Sequence, residues 1–141
     1  MSNKSFRLEI VTPEATVYDG QVTSITLPTV DGEIGILANH AALVTAVDIG
    51  GVTVVEADGD RVDMFVSDGF FEVANNHARL LADVGERAGD IAMDRAEEAE
   101  KRARERLESG QHDEIDFDRV RAMRSLQRAL WRQRLARGRN A

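Results

Sequence analysis

The sequence predicts a β + α protein, in which an N-terminal antiparallel β-sandwich of about ten short strands precedes a C-terminal α-helical hairpin. Over the first 84 positions, short runs rich in β-branched and apolar residues alternate with turn residues, which is typical of antiparallel sandwiches and barrels. After Val84 the apolar residues recur at steps of three and four, which is the period of a helix. We therefore expect two domains, over residues 1–86 and 87–141.

The β region divides at residue pairs that favour turns. Asp58-Gly59 separates TVVEA from RVDMFV and is the clearest hairpin, because glycine adopts the positive φ that a primed turn requires. Further turns between strands are predicted at Asp19-Gly20, Gly50-Gly51 and Asp68-Gly69. The alternation after Asp60 is typical of a half-buried strand and divides the side chains into two sets, Val62, Met64 and Val66 against Arg61, Asp63 and Phe65.

Two helices are predicted in the last third of the chain. The first runs from Asp90 to Ser109 and carries a narrow apolar stripe at helical spacing, formed by Ala92, Ala96, Ala99, Ala103 and Leu107. Since alanine buries little area, we expect this stripe to pack closely against another helix. Gly110 ends the first helix and Asp116 caps the second. The predicted apolar face of the second helix consists of Val120, Met123, Leu126 and Leu130.

Charge is divided unequally along the chain. Residues 1–117 hold 10 Lys/Arg and 24 Asp/Glu, a net charge of −14, whereas residues 118–141 hold eight arginines and one acid, a net charge of +7. A basic C-terminal segment of this kind suits an acidic partner. The absence of cysteine excludes disulfides, thiolate zinc sites and a cysteine nucleophile. Because no apolar run approaches the roughly 18 residues of a membrane span and no signal-peptide core is visible, we expect a cytosolic chain.

Residues that carry chemistry are scattered. His40, His77 and His112 fall in separate predicted turns or strand edges, without the spacing of a metal site, so no metal is predicted. The chain has no GxSxG elbow, and its paired acids lie in hairpin turns, where aspartate commonly forms the turn. The glycine-containing stretch GEIGILANHAAL, residues 32–43, is no phosphate loop, because no helix follows it and Gly-Lys-Ser/Thr is absent. These observations argue against an enzyme.

The basic second helix could bind nucleic acid through its charge alone. It holds a single aromatic residue, Trp131, and no recognised reader motif, and it is joined to a strongly acidic remainder. We therefore expect no nucleic-acid partner, and we interpret Trp131 as a packing residue.

Several stretches, in order along the chain, resemble the epsilon subunit of the bacterial F-type ATP synthase. LEIVTPEATVYDGQV is similar to the opening strand and turn of that family, and GEIGILANHAALVTA is similar to its central signature. VSDGFFEV followed by LLADVGERAGDI resembles its last strands and the exit into the helices. The chain departs from the family at Ala38-Asn39, where Pro-Gly is usual, at Ala42, where proline is usual, and at Asp68, where glycine is usual. Each is a substitution in a turn, so the expected fold is unchanged.

The resemblance implies a non-catalytic, cofactor-free chain that binds the gamma subunit and forms with it the central stalk of a proton-translocating ATP synthase. It implies that one turn of the sandwich faces the membrane ring of c subunits, with a c-ring and gamma docking set of Gly32, Glu33, Gly35 and His40. The alternative is that the two glycines only shape a turn and that His40 only caps it. The expected location is peripheral, on the cytoplasmic face of the bacterial cell membrane.

The resemblance also has implications for the helices. Some family members bind ATP through an Ile-Asp-x-x-Arg-Ala motif; here Ile91, Arg95 and Ala96 match, but Ala92 replaces the aspartate, so we expect weak or no ATP binding. The other matching positions are Glu86, Arg102 and, with a two-residue insertion, Arg128 and Arg132. An extended second helix would reach along gamma to the alpha and beta subunits and block rotation in the hydrolysis direction. The arginines expected to make this inhibitory contact are Arg121, Arg124, Arg128 and Arg132.

A hypothesis from a different class stays open at this point. The chain could be a free-standing sandwich with a basic helical tail that binds RNA or an acidic protein. Co-purification separates the two hypotheses, because a stalk subunit elutes with gamma, whereas an RNA-binding protein carries nucleic acid with a strong dependence on salt.

Overall fold

The computed structural model describes residues 4–109 and 117–138, apart from the side chain of Phe117. The predicted turn at His112 and the predicted caps at Gly110 and Asp116 lie outside the described residues. Within these ranges the elements are β1 (Phe6–Val11), β2 (Thr16–Thr29), β3 (Gly32–Leu37), β4 (Leu43–Val47), β5 (Gly50–Glu56), β6 (Arg61–Ala74), β7 (His77–Arg87), a single 3₁₀ turn (Ala88–Asp90), α1 (Met93–Glu108) and α2 (Phe117–Ala136).

The chain divides into two compact units, Met1–Ala88 and Gly89–Ala141. The first unit contains all seven described strands and the second contains both helices. The boundary lies two residues beyond the predicted one, because β7 continues to Arg87.

Two long strands organise the first unit. β2 pairs antiparallel with β1, β3 and β5, and at one residue pair with β4. β6 pairs antiparallel with β4, β5 and β7. β1 also pairs in parallel with β7, so both of its edges are bonded. The inward-facing side chains form one core, whose largest fully buried members include Phe6, Leu8, Ile10, Ile25, Leu27, Met64, Phe71 and Leu80.

The described residues form seven strands where about ten short ones are predicted, because two Asp-Gly pairs lie inside continuous strands rather than at turns. Asp19 and Gly20 belong to β2, and Asp68 and Gly69 belong to β6. Asp68 has a positive φ of 49°. A Cβ on Gly69 would lie 1.8 Å from the carbonyl oxygen of Leu81. Glycine at position 69 therefore allows the close approach of the β7 backbone and does not end the strand.

The β5–β6 hairpin forms where it is predicted, with a different turn. Gly59 has a φ of 97°, and its N–H donates to the carbonyl of Glu56 at 2.8 Å. This bond places Ala57 and Asp58 at the centre of the turn, and neither has a positive φ, so the turn is not a primed one, since types I′ and II′ both need positive φ at the first central position. The predicted turn residues Gly50 and Gly51 begin β5 instead.

The alternation along β6 holds for one face only. Met64 and Val66 are fully buried and Val62 is partly buried, as predicted. Phe65, assigned to the opposite face, is also fully buried. Around Phe65 both faces of β6 are therefore buried, and β6 does not show there the strict alternation of a strand with one face in solvent.

The two helices contact each other through small residues. Ala96 and Ala103 of α1 are buried, as the alanine stripe predicts, and Ala122 and Ala129 are the buried alanines of α2. The predicted apolar face of α2 is wrong for its large side chains: Val120, Met123 and Leu130 are 52%, 50% and 40% exposed, and Leu126 is only partly buried. An alanine stripe can be matched closely only by another narrow stripe, since large side chains would hold the helices apart.

Candidate functional site

The segment expected to dock forms a strand with a turn at each end, rather than the single turn that the resemblance implies. Gly32 begins β3 and has a φ of 118°, which favours glycine at the β2–β3 turn. Glu33 and Gly35 are exposed along β3, and His40 lies beyond the other end of the strand. At about 3.3 Å per residue, β3 separates the two turns by roughly 17 Å. The structure therefore does not bring Glu33 and His40 into one turn.

His40 lies in a short segment without regular structure, residues 38–42. Its Nδ1 is 2.6 Å from the carbonyl oxygen of Ala41. Since a carbonyl only accepts, this contact places the proton on Nδ1 and leaves Nε2 as the acceptor of the neutral ring. The preceding residue, Asn39, has a φ of 64°, which asparagine tolerates better than most residues. His40 can thus accept from a donor on a partner, as Glu33 can through its carboxylate.

The second histidine of the β unit belongs to a surface ion network. His77 Nε2 lies 2.7 Å from a carboxylate oxygen of Glu9, and Arg79 lies 3.7 Å from the same oxygen. On the neighbouring strand, Arg7 makes two hydrogen bonds to Asp19, and these lower the pKa of the Asp19 carboxyl. The partners within this network satisfy one another, so His77 is structural.

An apolar groove crosses the β unit where the β1–β2 turn meets β6 and β7. Its volume is about 510 Å³, and its lining residues are Val11, Thr12, Pro13, Asp68, Gly69, Phe70, Leu81, Ala82 and Asp83. Phe70 and Leu81 face each other across the β6–β7 ladder and are 61% and 42% exposed. Two carboxylates, from Asp68 and Asp83, lie among the lining residues. The groove thus offers an apolar floor with acidic residues, which suits a partner that carries apolar and basic side chains.

Sequence reasoning missed this groove, although FFEV contains a signal for it. Consecutive residues of a strand point to opposite faces, so Phe70 and Phe71 cannot both enter one core. Phe71 is fully buried and Phe70 is the exposed one. An aromatic side chain left outside a core is a sign of a contact surface.

The alanine interface of the helices contains one polar contact, centred on Gln133. Gln133 is 4% exposed, and its Nε2 donates to Glu100 Oε1 at 2.7 Å and to the carbonyl of Ala96 at 3.4 Å. Arg104 donates to the other oxygen of Glu100 at 2.7 Å, and Arg137 donates to Gln133 Oε1. The hydrogen bonds from Gln133 and Arg104 lower the pKa of Glu100. A buried amide with its partners satisfied favours one register of the two helices.

The four arginines expected to inhibit share one face of α2. Arg121, Arg124, Arg128 and Arg132 follow one another at steps of three, four and four residues, which places them on a single stripe. This stripe is distinct from the buried Ala122 and Ala129. Arg128 donates to Ser125 at 3.1 Å. The exposed Met123 and Leu130 lie to one side of this basic stripe, and the exposed Val120 borders it one turn before Arg124.

The positions that match the nucleotide motif are distributed over both units of the chain. Glu86 lies in β7, opposite Phe65 in the strand register, whereas Ile91 precedes α1 and is partly buried. Arg95 and Arg102 are exposed on one face of α1, and Arg102 lies 4.0 Å from Glu98. Ala96 is buried against α2 and is not open to a ligand. Ala92 occupies the N-cap position before α1 and provides no side-chain cap, because alanine has no acceptor for the first N–H groups.

One group of acids approaches the spacing of metal ligands. Oxygens of Glu56, Asp58 and Asp60 lie within 4.8 Å of one another at the β5–β6 turn. Two of these carboxylates already have partners: Tyr18 donates to Glu56 at 2.7 Å, and the N–H of Asp60 donates to Asp58 at 2.9 Å. Burial, together with this bond to Glu56, raises the pKa of the Tyr18 hydroxyl. These hydrogen bonds explain why the three acids lie close together at the β5–β6 turn without a metal ion.

Each of the two units matches a model of a known protein family. The family model described as ATP synthase, Delta/Epsilon chain, beta-sandwich domain matches residues 5–88, and the model described as ATP synthase, Delta/Epsilon chain, long alpha-helix domain matches residues 90–137. The ATP synthase epsilon chain of Syntrophomonas wolfei is 40% identical over 134 residues, 95% of this chain and 96% of that one. The epsilon chain of Nitratidesulfovibrio vulgaris is 42% identical over 132 residues, 94% and 96% of the two chains.

Solved structures agree in fold. A chain of the Euglena gracilis mitochondrial ATP synthase, in a structure of OSCP, F1 and c-ring, matches with a TM-score of 0.78 and 20% identity over 90% of this chain and 78% of that chain. A chain of the Tetrahymena thermophila mitochondrial ATP synthase central stalk and c-ring matches with a TM-score of 0.62 and 14% identity over 92% and 95%.

A β-sandwich followed by a helical unit, each matched by its own family model, places this chain in the delta/epsilon class of ATP synthase chains. Within this class, the chain belongs to the ATP synthase epsilon chain family. The alternative of a free-standing RNA-binding sandwich receives no support from these comparisons. None of the helices in residues 4–109 and 117–138 is long and apolar enough to cross a membrane.

Proposed function

We propose that this chain is the non-catalytic epsilon subunit of the central stalk in a proton-translocating F-type ATP synthase, held at the cytoplasmic face of the bacterial membrane by its partners. In this proposal the β unit joins the gamma subunit to the c-ring, and the helical unit restrains ATP hydrolysis. The membership of the chain in the epsilon family supports the proposal, together with three surfaces of the described residues.

The observation that carries the docking role is the exposed apolar groove around Phe70 and Leu81. Phe70 is 61% exposed and faces the 42% exposed Leu81 across the ladder, whereas the other phenylalanines of the β unit, Phe6, Phe65 and Phe71, are buried. Covering such a side chain with a partner contributes about 1.5–3 kcal/mol. The acidic residues of the groove, Asp68 and Asp83, favour basic side chains on that partner. We assign this groove to gamma.

The edge formed by β3 and residues 38–42 is the proposed contact with the c-ring. Gly32 and Gly35 leave two positions of this edge without a side chain, and Glu33 and His40 supply acceptors toward its two ends. These groups suit a polar surface that presents hydrogen-bond donors and positive charge. The two ends would contact different parts of that surface, because β3 separates them.

The basic stripe of α2 is the proposed inhibitory surface toward the alpha and beta subunits. Exposed ion pairs contribute only about 0–1 kcal/mol each, so Arg121, Arg124, Arg128 and Arg132 would act as a group. Shifting the balance between the hairpin and an extended second helix by factors of ten requires a few kcal/mol of difference in free energy between these two forms. Four pairs can supply that difference when they form together.

The docking assignment is tested by exchanging this chain for variants in a reconstituted ATP synthase. Phe70→Asp should abolish or strongly weaken binding to gamma. Val44→Asp is the matched control, because Val44 is an apolar strand residue that is 69% exposed and lies outside the groove. Equal binding of the two variants to gamma would refute the assignment of the groove.

The inhibitory role is tested by ATP hydrolysis of the same complex over a range of salt. Replacing all four stripe arginines with alanine, or deleting residues 118–141, should raise hydrolysis while leaving assembly intact. A variant of α1 that removes four exposed cations, at Arg95, Lys101, Arg102 and Arg106, controls for net charge. Unchanged hydrolysis in both α2 variants at every salt concentration would show that the stripe is only a solvated face.

A further inference from the structure

Asn76, at the tip of the β6–β7 hairpin, joins two distant segments through its side chain. Its Oδ1 accepts a hydrogen bond from the backbone N–H of Asn39 at 2.7 Å, and its Nδ2 donates to the carbonyl of Ser5 at 2.8 Å. Its own carbonyl accepts from the N–H of Arg7 at 3.3 Å. One residue thus ties the start of β1 and the segment between β3 and β4 to the same hairpin.

The chemistry of these contacts is specific for asparagine. A backbone N–H can only donate and a carbonyl can only accept, so the two ends of the Asn76 amide cannot be exchanged. Aspartate would keep the acceptor for Asn39 and lose the donor for Ser5. The φ of Asn76 is 61°, in the left-handed region that asparagine and glycine tolerate. Both the backbone and the side chain of this position therefore favour asparagine.

The segment that Asn76 reaches is anchored at its start by Ala38, which packs against the core, and has no regular structure beyond that residue. Residues 38–42 read Ala-Asn-His-Ala-Ala and form no helix or strand, and Ala41 and Ala42 are exposed. The contact of His40 with Ala41 lies inside the segment and does not fix it to the rest of the unit. The bond from Asn39 to Asn76 comes from a different hairpin and fixes the residue immediately before His40.

We propose that Asn76 is a positioning residue of the docking edge, which fixes the backbone at Asn39 and thereby sets the direction in which His40 presents Nε2 to the partner. This inference rests on the proposed docking role of the edge. Asn76 itself contacts backbone groups of its own chain and acts on the partner through His40.

The tether is tested first in the full-length chain alone. Asn76→Gly removes the side chain and keeps the freedom for positive φ, and Asn75→Gly is its matched control, because Asn75 has a φ of 52° and an exposed side chain. Amide hydrogen exchange at residues 39 and 40, followed by NMR, should be about five- to tenfold faster in Asn76→Gly than in Asn75→Gly. Asn76→Asp should retain most of the protection at residue 39. Equal exchange in the two glycine variants would overturn the inference.

The consequence for docking is tested with detergent-solubilised ATP synthase from which the epsilon subunit has been removed. Asn76→Gly should weaken rebinding about fivefold relative to Asn75→Gly and should add nothing in a His40→Ala background, because both changes remove the same contact. Additive losses would overturn the inference. If His40→Ala rebinds like the unmodified chain, the proposed docking role of His40 is refuted and the inference with it, while the exchange experiment still reports separately whether the tether exists.

Discussion

Gly69→Ala is expected to destabilise the β unit by about 3 kcal/mol or more, because the new methyl group would meet backbone atoms rather than a movable side chain. Its Cβ would lie 1.8 Å from the Leu81 carbonyl oxygen and 2.8 Å from Ala82 Cα. The β7 backbone would have to retreat by more than about 1 Å for the first contact to reach even 3.0 Å. β7 is bonded to β6 on one side and to β1 on the other, so this movement breaks ladder hydrogen bonds.

Gly35→Ala provides the matched comparison in the same unit. Within the described part of the chain, a Cβ at this position would have only Thr26 Oγ1 near it, at 4.0 Å. Alanine restricts the unfolded chain more than glycine does, so this variant should be neutral or more stable by up to about 1 kcal/mol. The two substitutions add the same atoms to strands of the same sheet and differ in what those atoms meet.

Urea unfolding of the full-length variants, followed by near-ultraviolet circular dichroism, measures the difference. We expect the urea concentration at the midpoint to fall strongly for Gly69→Ala, with an unchanged slope of the unfolding free energy against urea. The predicted loss of about 3 kcal/mol is substantial beside the free energy of unfolding of a typical domain, roughly 5–15 kcal/mol. If Gly69→Ala unfolds within about 1 kcal/mol of Gly35→Ala, the explanation of Gly69 by close backbone approach is wrong. A folded Gly69→Ala protein should also bind gamma less well, since position 69 lines the groove.

Two further predictions concern the helical unit. The lowered pKa of Glu100 means that its carboxylate stabilises the hairpin above the ordinary pKa of 4.5, and this contribution disappears as the pH falls through the lower folded-state value. Helix content measured between about pH 5 and pH 3 should therefore depend less on pH in Gln133→Leu than in the unmodified chain, and equal dependence would contradict the role of the Gln133 bond. Calorimetry should detect no micromolar ATP binding, since loss of an acceptor at position 92 forfeits about 1–3 kcal/mol. Ala92→Asp should strengthen ATP binding if the motif is otherwise intact, and should also stabilise α1 by about 1 kcal/mol as an N-cap.

The sequence predicts the element types well wherever the pattern is local. The runs of β-branched residues, the change of period after Val84 and the alanine stripe of α1 each follow from spacing alone. Local spacing could not show whether the Asp-Gly pairs at positions 19 and 68 form turns or lie within strands, because the same dipeptide occurs in both. What separates the two cases is the neighbour: β7 passes within 1.8 Å of the Cβ position at Gly69, and that neighbour is 12 residues away in sequence.

The face of α2 was mispredicted for a similar reason. Large apolar residues at positions 120, 123, 126 and 130 suggest a buried stripe, and the smaller residues at 122, 129 and 133 form another at the same period. Hydrophobicity favours the first set, whereas close packing against an alanine surface selects the second. For the docking edge, the family resemblance predicts Glu33 and His40, but the strand between them and the tether from Asn76 depend on pairing across the fold.

The double pairing of β1 has a mechanical consequence. A strand at a free edge can be peeled away by breaking one hydrogen bond at a time, whereas β1 is bonded to β2 on one side and to β7 on the other. A pull along its axis loads both ladders in shear, and many bonds must yield together before the strand slides. In the proposed stalk, the part of the β unit around β1 would therefore carry a load without the strand sliding out of the sheet.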